Sequence, residues 1–273
     1  MKTVHIDTSL QIERCKEQSK RKVVEDALKP FRFTSTSSYA KLEFKCSWLR
    51  DLAYLYRASQ RVTRFDELLG YIDDKLNKHP ANRRRIARCL QAIVAYLSQV
   101  PPDFPHGVVL LRLRRHIFNA VLGAYDWWDS SVTHEYNGTS CVRAAERPKK
   151  LSGRSLDVSV PKCAPGRVNC RVHEFFRRHK DKFTAIASAI ENLGDGTTKE
   201  QKEAAQMIRR TVANPLSLCD DRNCRKLGDV LIAVDGLEMD CFAANNDKEW
   251  QLLSDVLGKL LLNPLRRTND NTA

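Results

Sequence analysis

Apolar and polar positions along this chain change period several times, and the changes mark its elements. Thr3-Val4-His5-Ile6 is short and β-branched and runs into Asp7-Thr8-Ser9. That pattern predicts a strand handing over to a helix capped by one of those three residues. Leu10 to Leu28 reads as a charged amphipathic helix that Pro30 stops. Phe31-Arg32-Phe33-Thr34-Ser35 alternates like a second strand, and Thr36, Ser37 and Ser38 offer caps to a helix over about 39–58. On that helix Ala40, Phe44, Trp48, Leu52 and Leu55 recur at spacings of three and four, forming one buried stripe.

Helical periodicity continues to about residue 140 without repeats, in segments near 64–78, 82–99 and 107–128. His79-Pro80 and Pro101-Pro102-Asp103-Phe104-Pro105 divide them. Residues 133–169 lose periodicity and gather Gly, Pro, Ser, Lys and Arg, which predicts a loop. Helices resume over about 171–192 and 198–213. Gly228-Asp229-Val230-Leu231-Ile232-Ala233 then opens a helix, and Asp240-Cys241-Phe242-Ala243-Ala244 reads as a strand. Asn245-Asn246-Asp247 caps a last helix, about 248–262, whose apolar face is Trp250, Leu253, Val256/Leu257 and Leu260/Leu261. Strand–helix units at both ends and a helical block between them predict an α/β domain split by an insertion.

Composition sharpens this. The 273 residues are 42% apolar and 29% charged, the balance of a globular chain with room for one large domain or two modest ones. Lys plus Arg number 46 and Asp plus Glu 33, a surplus of +13, with a pI near 9.4. Such a surplus favours a polyanionic partner, nucleic acid ahead of an anionic membrane surface. The first residues contain no apolar signal run. The most apolar stretch, Val108 to Ala124, is broken by Arg112, Arg114, Arg115 and His116. We therefore expect a cytoplasmic protein with no membrane partner. Nine cysteines without an export signal point to free thiols or metal ligands rather than disulfides.

Four acids fall where a strand meets a helix or a helix begins: Asp7, Glu43, Asp229 and Asp247. In a parallel sheet the C-terminal strand ends share one edge, where ligands bind. Carboxylates gathered there repel one another, and a hard cation such as Mg²⁺ or Mn²⁺ relieves the repulsion. Any one of these acids is also an ordinary helix cap; the combination carries the information.

The same four stretches resemble the motifs of PIN-domain nucleases. Val4-His5-Ile6-Asp7-Thr8-Ser9-Leu10 is similar to their opening strand, and Ser37-Ser38-Tyr39-Ala40-Lys41-Leu42-Glu43-Phe44 to their second motif. Gly228-Asp229-Val230-Leu231-Ile232-Ala233 resembles the third, and Ala244-Asn245-Asn246-Asp247-Lys248-Glu249-Trp250 the closing Thr-Asn-Asp-x-x-Phe, with Asn for Thr and Trp for Phe. The resemblance implies a PIN-like parallel sheet flanked by helices, over 1–58 and 205–273, interrupted by a helical, basic, Cys-bearing insertion over 59–204. It implies a metal-dependent endoribonuclease in which Asp7, Glu43, Asp229 and Asp247 hold Mg²⁺ or Mn²⁺. Asn246 would orient a carboxylate or a water, and Thr8 or Ser9 would donate to a carboxylate or phosphate if they are more than caps. Asp220, Asp221 and Asp235 are the nearby substitutes.

Cys163-x6-Cys170 and Cys219-x4-Cys224 are two local pairs that together would suit tetrahedral Zn²⁺, with His173 able to replace one Cys. The alternative is four unrelated thiols. Cys15, Cys46, Cys89, Cys141 and Cys241 read as small apolar residues. Residues 141–182 carry 12 Lys/Arg against 4 Asp/Glu, most of the chain's surplus. Within them Arg177, Arg178, Lys180 and Lys182 are candidate phosphate contacts, with Phe175 and Phe176 for packing or base stacking. Arg83-Arg84-Arg85 and Arg112/Arg114/Arg115 are secondary candidates, and Tyr125, Trp127 and Trp128 read as helix core. The expected function is divalent-metal-dependent phosphodiester hydrolysis, in RNA before DNA. The rivals are a non-catalytic nucleic-acid-binding protein using a Cys–metal cluster and the basic insertion, and a toxin-type nuclease controlled by an inhibitor protein. A homo-oligomer is a further partner compatible with the sequence.

Overall fold

A computed structural model describes residues 2–16, 18–78, 83–101, 105–144, 146–151, 155–160, 163, 170–218 and 220–266. The chain runs β1 (Thr3–Ile6), α1 (Thr8–Lys16), α2 (Gln18–Leu28), β2 (Phe33–Ser37) and α3 (Ser38–Phe44). A π-helical turn, Lys45–Leu49, leads into α4 (Arg50–Ser59), α5 (Phe65–Lys78), α6 (Arg83–Leu97), α7 (His106–Leu122) and α8 (Ala124–Ser131). Three short strands follow: β3 (His134–Tyr136), β4 (Lys149–Lys150) and β5 (Leu156–Asp157). The remainder is α9 (Val172–Arg178), α10 (Lys180–Asn192), α11 (Lys199–Ala213), α12 (Asp221–Lys226), α13 (Gly228–Asp235), β6 (Cys241–Ala243), α14 (Asp247–Leu257) and β7 (Leu260–Leu262).

The protein is α/β and mainly helical, with a five-stranded, all-parallel sheet in the order β3-β2-β1-β6-β7. Val4 and Ile6 pair with Cys241 and Ala243 and join Leu10, Val24 and Leu28 in one buried cluster. The alternate residues His5 and Phe242 are fully buried too, and Phe242 meets the Trp250 ring at 5.4 Å. Apolar cover on both faces is what an all-parallel sheet requires.

The chain divides into two compact units. The sheet unit is 1–43, 129–146 and 161–273, and the helical unit is 44–128 and 147–160. These limits differ from the sequence expectation of 1–58 with 205–273 against 59–204. The insertion begins inside the helix after β2, because the π-helical turn breaks its register at Lys45. The predicted loop 133–169 contains β3, which returns to the sheet beside β2, and α9 to α11 belong to the sheet unit. The last helix is shorter than its periodicity suggested. Gly258, at φ 66°, ends α14 in a left-handed cap, and Leu260-Leu261-Leu262 pairs with β6 instead of extending the helix face. Among the described residues no helix is long and apolar enough to cross a membrane.

Candidate functional site

Strand order reverses at β1. The chain lays β2 and β3 on one side of it, then β6 and β7 on the other. Such a switch point opens a crevice at the carboxyl ends of the two central strands, here β1 and β6. Asp7 is the first residue beyond β1, and its backbone N–H donates to Ala243 O on β6 at 2.9 Å. It is 2% exposed. Its Oδ2 accepts from Ser9 N at 2.9 Å and Ser9 Oγ at 2.5 Å, while Oδ1 is buried with no hydrogen-bond partner among the described residues.

Three other acids meet it. Glu43, two turns into α3, accepts from Thr8 Oγ1 at 3.0 Å. Gly228 makes room for it, since a Cβ there would stand 1.9 Å from Glu43 Oε1. Asp229, on the first turn of α13, feels the charges of Asp7, Glu43 and Glu249. Glu249, on the first turn of α14, is fixed by Asn246 Nδ2 at 2.5 Å. Burial foremost, then the neighbouring negative charges, lift Asp229 well above the usual carboxylate range. The same two causes raise Glu43 to about 8, with Thr8 and Arg225 opposing. Burial raises Asp7 against the pull of its Ser9 hydrogen bonds. The acids thus begin α1, α13 and α14 or lie on α3, and the three helix N-termini direct partial positive charge toward the group.

The structure brings together Asp7, Glu43 and Asp229 from the sequence reading. Asp247 is engaged elsewhere: its Oδ1 accepts from Asn263 Nδ2 at 2.8 Å, and Arg266 Nε lies 3.7 Å from Oδ2. The fourth acid of the group is Glu249, two residues along the same helix. Asn246 orients a carboxylate, that of Glu249, while Thr8 and Ser9 donate to Glu43 and Asp7. Asp220 is the N-cap of α12 and Asp235 binds Ser37 and Gly138, so neither belongs to the group. The side chain of Asp221 lies outside the described residues.

The donor set is all oxygen, which fits a hard divalent cation. The orphaned Asp7 Oδ1 also fits, being a desolvated acceptor without a donor among the described residues. Among the described residues no three such side chains are drawn in to the spacing of a formed metal site.

Arg177, Arg178, Lys180 and Lys182 are exposed on α9 and α10, and among the described residues none is in an ion pair. Phe175 and Phe176 are buried, with Phe176 stacked on Phe183 at 4.3 Å, so they pack rather than offer faces to bases. Arg85 pairs with Asp51, and Arg114 caps the Ser59 and Val62 carbonyls, which gives both structural work in the helical unit. Tyr125 and Trp128 are core, and Trp127 is half-buried. Among the described residues Cys163, Cys170 and Cys224 form no disulfide, and Cys219 lies outside the described residues. No family model, curated protein or solved structure matches the chain.

Proposed function

We propose that this protein is a PIN-like, divalent-metal-dependent nuclease that hydrolyses phosphodiester bonds, in RNA before DNA. The observation that carries the reading is Asp7 Oδ1, buried and unpartnered at the switch point of a parallel sheet, with Glu43, Asp229 and Glu249 around it. A carboxylate group so short of counter-charge is stabilised by a cation and is an awkward arrangement without one. When bound, Mg²⁺ or Mn²⁺ supplies Lewis acidity toward a phosphoryl oxygen and lowers the pKa of a water.

The chain's own residues set up the rest. Ser9 holds Asp7 through Oδ2 and leaves Oδ1 free to ligate; Thr8 turns Glu43 inward; Asn246 fixes the Glu249 rotamer. The exposed cations of α9 and α10 supply contacts to a phosphate backbone that position a strand without reading its sequence. The preference for RNA rests on the resemblance of the four motifs to PIN nucleases.

The test is incubation of single-stranded RNA, structured RNA and DNA with the protein in Mn²⁺ or in EDTA. Cleavage should require the metal, should fail in Glu249→Gln and should survive in Asp247→Asn. Equal cleavage in EDTA, or none of any substrate in Mn²⁺, would overturn the assignment.

A further inference from the structure

Helix α6 carries two apolar stripes, one buried and one exposed. Ile86, Cys89, Ile93 and Tyr96 form the buried one, and α6 packs on α4 and α5. One position further on, Ala87, Leu90, Val94 and Leu97 repeat the same spacing of three, four and three residues, about 100° round the helix. All four are exposed, Val94 at 65%. That spacing is the narrow a/d seam with which one helix receives another. An exposed aliphatic row of this kind marks a contact surface.

The charge beside the seam is one-sided. Helix α6 holds Arg83, Arg84, Arg85 and Arg88 and no acid. The first three crowd its opening turn, where the helix dipole disfavours cations. Arg85 and Arg88 are neutralised by Asp51, whereas Arg83 and Arg84 are exposed and in no ion pair among the described residues. Arg83 lies four residues before Ala87, so it prolongs the seam. We propose that this seam docks an amphipathic helix of another protein, aliphatic at heptad spacing and acidic where it meets Arg83 and Arg84. Other occupants satisfy less of the surface. A second copy of α6, laid parallel, sets arginine against arginine; laid antiparallel, it offers Leu97, Ser98 and Gln99, none of them an acid. A phosphate backbone would satisfy the arginines but leave the aliphatic row in water, and that row has no aromatic face on which bases could stack. The surface lies wholly on the helical unit and does not depend on the carboxylate reading.

The test uses the full chain and a fluorescent synthetic helix of three heptads, with Leu at a and d and Glu at e and g, beside a twin with Lys for Glu. The acidic helix should bind, and the basic twin should bind at least about tenfold more weakly, because like charges set against each other at a contact are penalised. This comparison needs no variant. Val94→Glu should weaken the acidic helix by about tenfold or more, as loss of a central apolar anchor does. Arg83→Glu combined with Arg84→Glu should reverse the preference between the two helices. Leu216→Ser, which alters a comparably exposed leucine of the sheet unit, should change nothing. Urea midpoints should match the wild type throughout, since every altered side chain is exposed. Sedimentation should show no dimer that Val94→Glu dissolves, and phosphatidylserine vesicles should not displace the acidic helix. Failure of both helices to bind, equal binding of the two, a Val94-dependent dimer or displacement by the vesicles overturns the proposal.

Discussion

Asp51 in the helical unit and Asp7 in the sheet unit are equally buried, at 3% and 2% exposed, yet their surroundings are opposite. Asp51 accepts from Arg85 Nε at 3.1 Å and Arg88 Nη1 at 3.0 Å, so a cation faces each oxygen. Asp7 has hydroxyl and amide donors on one oxygen, none on the other, and further carboxylates as neighbours. Asp235 stands between them, with neutral donors on both oxygens, Ser37 Oγ at 2.6 Å and Gly138 N at 3.0 Å. Burial of an acid is therefore no mark of function by itself; what sets the proposed site apart is the missing counter-charge.

The comparison can be broken most directly by removing each charge. Asp7→Asn should cut metal-dependent cleavage by about 10³-fold, the scale of losing a key electrostatic group at a reacting centre. In EDTA its unfolding midpoint should hold or rise. Asp51→Asn should do the reverse, costing about 2 kcal/mol in urea melts and sparing cleavage. That is below the cost of breaking a fully buried pair because Arg85 and Arg88 are 32% and 34% exposed. A destabilised Asp7→Asn with full activity would erase the distinction.

Gly228→Ala sharpens it without touching charge. The added methyl would displace Glu43 from its seat, and a misplacement of this kind costs on the order of 10²-fold in turnover. Metal titrations should show weaker binding, and unchanged turnover would mean that Glu43 has no part in the site.

The middle case predicts a pH dependence. Burial raises Asp235 from 3.8 to about 6, outweighing its two hydrogen bonds. Between those values the folded chain holds a proton that the unfolded chain has lost. This contribution, about 3 kcal/mol, is thus fully present below pH ~4 and lost as pH rises through ~6. Urea melts of Asp235→Asn against the wild type across that window should differ in slope; parallel curves would remove Asp235 from the series.

Much of this was readable locally. β1, β2 and the acids Asp7, Glu43 and Asp229 follow from short-range signals: β-branched runs, capping hydroxyls, a Gly before an apolar helix. The fourth acid was not, because Asp247 and Glu249 are two residues apart on a helix and so face opposite sides, and a linear motif does not fix that phase. β3 is three residues, His134-Glu135-Tyr136, with no alternation long enough to register; its pairing with β2 makes it a strand. Leu260 to Leu262 continues a helical stripe by periodicity, and the backbone reversal at Gly258 overrides it.

Strand β1 pairs on one side with β2, made soon after it, and on the other with β6, where Val4 meets Cys241. At a translation rate of about 5–20 residues per second, that second edge waits roughly ten to fifty seconds for its partner. Glu249 emerges later still. The helical unit is complete well before then, so the ribosome-bound chain has one folded unit and an unfinished sheet with an open edge. Long-range parallel pairing is intrinsically slow, so closure of the sheet should be the slow step of folding. The group of four acids exists only after nearly the whole chain has been made, so the nuclease proposed above would stay inert toward RNA while it is being synthesised.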